Sequence, residues 1–208
     1  MGHSVLSNPF IMLLPLLIVL ALGYLIGSIP VAVLIGHWHK VDILNVGSGN
    51  AGATNINRTL GKRAGYLCFA LDALKGVIAT SWVLWLWDGL NVLPWLASSS
   101  LLAAVIGHRF SVWIKFRGGK GVATTTGGLL VLLFYPTIIG LALWAFTFFA
   151  LRYVSLASIV FALSLPITSY LYGVQPAYVI LALVLSGLLI LSHHSNIKRL
   201  WQGKEHRF

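Results

Sequence analysis

Apolar residues run along this chain in long blocks, at about 10 to 36, 65 to 87, 93 to 108, 124 to 150, 154 to 171 and 176 to 192, and polar residues are pressed into the short segments between them. About 20 apolar residues are needed to carry a helix across roughly 30 Å of hydrocarbon, so these blocks predict membrane-spanning helices. The block at 124 to 150 is the ambiguous one, because Tyr135-Pro136 stands at its middle. It reads as one kinked span or as two short helices joined by a turn.

Charge distinguishes the two. Short loops rich in Lys and Arg belong on the cytoplasmic side. Splitting the block at Pro136 gives seven helices with the N-terminus outside. Loops 37 to 64, 109 to 123 and 151 to 154 and the tail from 193 then all face the cytoplasm and hold or adjoin every Lys and Arg. Leaving it whole gives six helices and puts Arg152, Lys198, Arg199, Lys204 and Arg207 on the wrong side. The seven-helix reading leaves outer turns near 87 to 91, at Tyr135-Pro136 and at 172 to 176 with Asp88 as their one charge. The helices near 124 to 134 and 137 to 150 are short and need tilt, a thinned bilayer or flanking helices.

Composition agrees with this class. The 208 residues are 58% hydrophobic and 9% charged, with eight Trp, more apolar surface than a soluble domain of this size could hide. We expect one all-α, polytopic domain over residues 1–208. The first apolar run is too long for a signal-peptide core and lacks a basic flank, so it reads as a retained span. Fourteen Lys and Arg against four Asp and Glu give a net charge of +10, which implies an anionic partner: lipid, substrate or nucleic acid. No extended basic domain is present to favour nucleic acid. The lone Cys68 rules out an internal disulfide framework and makes no metal site by itself.

Four polar elements converge on the inner face in this topology. In GSGNAGATNINR (47 to 58), glycines let backbone amides approach a ligand, Ser48, Asn50, Thr54 and Asn55 add short hydrogen-bonding groups, and Arg58 adds a fork suited to phosphate. In FRGGKGVATTT (116 to 126), Gly118, Gly119 and Gly121 flank Lys120, and Thr124 opens a helix whose N-terminus suits an anion. The spacing is not that of a Walker loop, and no strand precedes it. RYVSLAS (152 to 158) supplies Arg152 and Ser158, and HHSNIKR (193 to 199) supplies His193, His194 and Asn196. Read alone, Ser158 is more often a serine bonded back to its own helix, and the tail cations more often snorkel at the interface. Asp72 and Lys75, one turn apart in the second helix, can pair. The His37-x4-Asp42 spacing of HWHKVD matches the His and Asp of a different class of glycerolipid acyltransferases and reads as coincidence. The scattered histidines 37, 39, 193 and 194 lack the Cys or carboxylates of a metal site, so no metal and no cofactor are expected.

As an ordered set, GYLIGSIP (23 to 30), GSGNAGATN (47 to 55), LDALKG (71 to 76), GH followed by FRGGKGVAT (107 to 124), YVSLAS (153 to 158) and H-x-x-NIKRL-x-x-G-x-E (193 to 205) resemble the bacterial membrane-integral glycerol-3-phosphate acyltransferases of the PlsY family. The resemblance implies transfer of a fatty acyl group from acyl phosphate to the 1-position of glycerol 3-phosphate, giving lysophosphatidic acid and phosphate. That is the first acylation of phospholipid synthesis, at the bacterial inner membrane. It implies catalytic roles for Ser48, Arg58, Lys120, Ser158, His193 and Asn196. Substrate or phosphate binding then falls to Gly47, Gly49, Asn50, Thr54, Asn55, Gly118, Gly119, Gly121, Thr124 and Glu205. An acyl-phosphate-producing enzyme of the same pathway becomes a candidate partner. His194 and Asn45 stand where many relatives carry Arg. The alternative class is a transporter of small anions or phosphate esters, which would need polar groups at the midplane and on both faces.

Overall fold

The computed structural model describes residues 9–87 and 93–208. The expected turn near 87 to 91, with Asp88, falls largely outside them. Among the described residues the chain is all helix: α1 (Pro9–Ser28), α2 (Val31–Trp38), α3 (Ala53–Leu60), α4 (Lys62–Leu86), α5 (Leu93–Arg109), α6 (Val122–Leu132), α7 (Phe134–Leu151), α8 (Val154–Leu171), α9 (Pro176–Ser192) and α10 (His194–Trp201), with a single 3₁₀ turn at Val112–Ile114.

The first two helices form one apolar stretch, Leu13–Trp38, interrupted at Pro30. Proline lacks an N–H and frees carbonyls of the preceding turn. Lys75 and Ser111 take them up. The Lys75 ammonium donates to Gly27 O at 3.0 Å and Ile29 O at 2.8 Å, and the Ser111 hydroxyl donates to Ser28 O. Asp72, 2.8 Å from Lys75, balances that buried charge, and His108 lies 3.1 Å from the ammonium. The expected Asp72–Lys75 pair thus exists, with an additional partner from α5.

Small residues let the spans close on one another. A Cβ at Gly27 would run into the backbone of Ala104, and one at Gly76 into that of Thr124. These contacts join α1 to α5 and α4 to α6 in the manner of close-packed membrane helices. The core continues through Leu101, Leu129, Phe161, Leu165, Leu185 and Leu189. The outer surface is apolar as well: Phe146 is 75% and Leu171 77% exposed, the condition of side chains meant for lipid.

The split of the long block is present but three residues earlier than the expected Pro136. It falls at Leu133, whose extended φ of −137° ends α6, whereas Pro136 is the third residue of α7. In a helix's first turn proline has no intrahelical bond to lose, so it opens α7 without forming the turn itself. At 11 residues α6 is only ~16 Å long. It tolerates this because Ala123 to Leu129 are enclosed by neighbouring helices. Tyr135 stacks on Tyr172, ring centroids 5.3 Å apart, so the α6–α7 break and the α8–α9 turn share one end of the molecule. The polar segments meet at the other.

Candidate active site

The polar end is organised by a carboxylate. Glu205 is buried, and it accepts from the Ser155 hydroxyl at 2.9 Å, the Asn196 amide at 2.7 Å and Arg199 Nε at 2.7 Å. Burial pushes its carboxyl up, but these donors outweigh burial and hold it below the usual range. With its NH₂ committed to Glu205, Asn196 turns its carbonyl oxygen outward, and that oxygen accepts from Lys120 Nζ. A chain Glu205–Asn196–Lys120 results, anchored at α8 through Ser155 and at α10 through Arg199.

Lys120 is buried among like charges, with Glu205 as its counter-charge. Burial brings its pKa down to about 8, and Arg199, Arg58 and Arg109 push the same way against Glu205. His193, at the break between α9 and α10, is buried, and its Nδ1–H donates to Leu189 O at 2.8 Å. That bond leaves Nε2 as an acceptor. Burial first, then the Lys120 charge, lower the His193 pKa to about 4, so the ring is neutral at physiological pH.

Beside Lys120 a cleft of about 130 Å³ opens between α5 and α9, lined by Val105, Ile106, Phe110, Leu188, Leu191 and Ser192, with Arg109 alongside Lys120. It is an apolar trough with two cations among its walls.

The glycines do something other than expected. Gly118 N–H donates to Arg109 O at 3.0 Å and Gly119 N–H to His108 O at 3.1 Å. Their amides are therefore already taken, and a Cβ at either would strike the carbonyl of His108 or its ring. They are glycine because the loop folds back flat on the end of α5. Gly49 N–H likewise bonds Val46 O. The open amides lie one step further on, where Gly121, at φ +88°, starts α6 with no side-chain cap, so Val122 to Thr124 have no acceptor in their own helix. The Thr124 hydroxyl is buried without a hydrogen-bond partner.

Three further expectations change. Asn55 was expected to contact substrate, but its oxygen accepts from Ser48 N–H at 2.8 Å and its NH₂ donates to Ile43 O and Val46 O at 3.1 Å, so it clasps the first loop. Glu205 has both oxygens occupied and repels an anion, so it meets the site's donors and not a phosphate. Ser158 lies a turn inside α8, donating to Val154 O at 2.8 Å and accepting from Trp144 at 3.2 Å. The serine that joins the network is Ser155, which sequence reading passed over, as it did Arg109 and Arg199.

Ser48 remains exposed on the first loop, Asn50 is half-buried in the same loop, and Thr54 is half-buried in the first turn of α3. Arg58 lies in the last turn of α3, near enough to Lys120 to act on its charge. Arg117 donates to Leu44 O at 3.4 Å and ties the two glycine loops together. Asp42 accepts from Leu44 N–H and from Asn45 at 2.7 Å, a turn-closing task that leaves no His37–Asp42 pair.

The sequence profile of the glycerol-3-phosphate acyltransferase family matches residues 17–203. Glycerol-3-phosphate acyltransferases from Endomicrobium trichonymphae and Aquifex aeolicus are 42% and 39% identical, over 88% and 89% of this chain and 91% and 95% of theirs. The backbone superposes on crystal structures of PlsY (YgiH), an integral membrane glycerol 3-phosphate acyltransferase. Against its glycerol 3-phosphate form the TM-score is 0.87 at 38% identity, and against its lysophosphatidic acid form 0.85 at 37%, each covering 93% of this chain and 95% of the other. With profile, sequence and backbone in agreement over nearly its whole length, the chain belongs to the glycerol-3-phosphate acyltransferase family as an integral membrane member.

Proposed function

We propose that the protein transfers a fatty acyl group from acyl phosphate to the 1-hydroxyl of glycerol 3-phosphate, releasing lysophosphatidic acid and inorganic phosphate as the first acylation of phospholipid synthesis. We further propose that it works in a bacterial cytoplasmic membrane as one seven-span domain, N-terminus outside and polar end inside, fed by an enzyme that makes acyl phosphate. The observation that carries this reading is the juxtaposition of Lys120 and Arg109 with the apolar cleft between α5 and α9. Cations beside an apolar trough suit a molecule that is a phosphate at one end and a hydrocarbon at the other.

Acyl phosphate is an activated mixed anhydride, so holding two reactants in line suffices and no acyl-enzyme is needed. The glycerol hydroxyl attacks the acyl carbon; a carbon–oxygen ester bond forms, the bond from acyl carbon to phosphate oxygen breaks, and inorganic phosphate leaves. Lys120, Arg58 and the open amides at the start of α6 offset charge on the phosphates and on the developing oxyanion, an effect worth about 3 to 4 kcal/mol per well-placed donor. Asn196 holds Lys120 in place, and Glu205 holds Asn196. Ser48 and the neutral His193 orient head group and hydroxyl by hydrogen bonds, while Ser158 sets Trp144 from behind. A histidine with a pKa near 4 is a weak proton acceptor. The hydroxyl proton therefore passes to a phosphate oxygen of the donor.

The test is direct. Purified protein given palmitoyl phosphate and glycerol 3-phosphate is expected to make lysophosphatidic acid with no thioester present. Product that forms only from an acyl thioester would overturn the donor assignment.

A further inference from the structure

After α10 the chain turns back over the polar end. Lys204 N–H donates to Arg199 O at 2.8 Å, Glu205 plugs into its three donors, and Phe208 N–H donates to Arg152 O at 2.9 Å in the α7–α8 turn. This return delivers the Phe208 ring to a specific place. Phe148 meets it edge-on at 6.4 Å and His206 at 5.2 Å, while the Arg58 guanidinium carbon lies 4.9 Å from its centroid. Among the described residues, no hydrogen bond or ion pair fixes that guanidinium; the ring is its contact.

The kind of contact matters. A carboxylate partner would occupy the N–H fork of an arginine and neutralise it. An aromatic face attracts the cation through its flat side and leaves the N–H edge open to an anion. Arg58 is the exposed residue of α3, an eight-residue helix otherwise half-buried or buried and reached through a glycine-rich loop, and its long side chain has much rotamer freedom to lose on binding.

We infer that Phe208 is a positioning residue for substrate binding: its ring, pinned by the backbone bond to Arg152 and by Phe148, presets the Arg58 guanidinium with its N–H groups free for a phosphate. This rests on the reading above that Arg58 receives substrate phosphate. The tail beyond Glu205 then belongs to the site, although it touches no substrate itself.

The experiment is a double-mutant cycle on the purified enzyme with glycerol 3-phosphate varied at saturating palmitoyl phosphate. Phe208→Leu keeps apolar packing on Phe148 and removes the ring. It is expected to raise KM for glycerol 3-phosphate about fivefold, with kcat within twofold and thermal midpoint unchanged. Phe208→Tyr and Phe208→Trp are expected to stay within twofold of the parent. In an Arg58→Ala background, Phe208→Leu is expected to add nothing. If Arg58→Ala is impaired while Phe208→Leu has the parental KM, or if Phe208→Leu keeps its full effect without Arg58, the positioning role is overturned and the Arg58 reading stands. If Arg58→Ala is itself normal, the Arg58 reading fails and takes the positioning role with it.

Discussion

Asn196 gives an amide hydrogen to Glu205 at 2.7 Å, and that bond decides which way Asn196 faces Lys120. A carboxylate can only accept, so the NH₂ must point to it and the carbonyl oxygen must point to the ammonium. One buried acid thereby orients a neutral amide, and the amide orients a cation without cancelling its charge. A carboxylate in direct contact with Lys120 would have held it more firmly and blocked it as a phosphate ligand.

Replacing Asn196 with Asp sets two carboxylates against each other where a hydrogen bond stood. We expect Asn196→Asp to lower kcat/KM about 100-fold, from loss of a charge-assisted bond together with like-charge repulsion, and Glu205→Gln in that background to recover part of it. Glu205→Ala strands Arg199 and Asn196 and is expected to lower the thermal midpoint as well. Because the folded Glu205 carboxyl lies below its ordinary range, its stabilisation is present above about pH 4 and is lost as pH falls through the lower folded value. A parallel pH scan of parental and Glu205→Gln unfolding checks this: the difference between them must shrink in acid.

In the proposed reaction Lys120 acts as a cation, and its pKa of about 8 sets where that stops. The protonated form prevails below this value, so KM for the phosphate substrates is expected to rise as pH climbs through 8. Lys120→Ala is expected to cost on the order of 100- to 1,000-fold in kcat/KM. Lys120→Arg, where it retains activity, is expected to carry its charge through pH 9 without that rise. Initial rates between pH 6 and 9.5 measure all three, and intact acyl transfer by Lys120→Ala would remove the phosphate-site assignment.

A His193 pKa of about 4 implies a neutral ring throughout the neutral range, hence no acid limb near pH 6.5 in kcat. His193→Gln keeps hydrogen-bonding groups and loses the titration; turnover is expected within tenfold of the parent with an unchanged pH profile. Loss beyond 1,000-fold accompanied by disappearance of an acid limb would instead make His193 the base.

Glycine is needed for space in one loop and not in one helix. Gly119→Ala would push a methyl into His108 and the Ala51 carbonyl, whereas nothing lies within 4 Å of a Cβ at Gly187 in α9. We expect Gly119→Ala to lower the thermal midpoint and abolish activity. Gly187→Ala is expected to leave activity intact and, through helix propensity, to stabilise by up to about 1 kcal/mol. Thermal unfolding in detergent with matched activity assays separates the pair.

Much of this could be read from the chain directly. Helices α4, α5, α8 and α9 were legible because hydrocarbon demands an uninterrupted apolar run, a constraint local in sequence. The gathering of the four polar segments at one end followed from where Lys and Arg fall. Lys120 was legible from the glycines that flank it, and Asn196 from the resemblance of the tail motif. The tertiary structure decided what depends on contacts between distant residues: that Ser155 and not Ser158 meets Glu205, that His108 joins Asp72 and Lys75 across 33 positions, that Arg109 shares a cleft with Lys120. It also decided the use of each glycine, because a run of glycines permits close approach without naming what approaches, and here Gly118 and Gly119 bond their own chain. Hydropathy and charge are properties of single segments and survive being read in line; hydrogen-bond partners are properties of pairs, and folding alone chooses them.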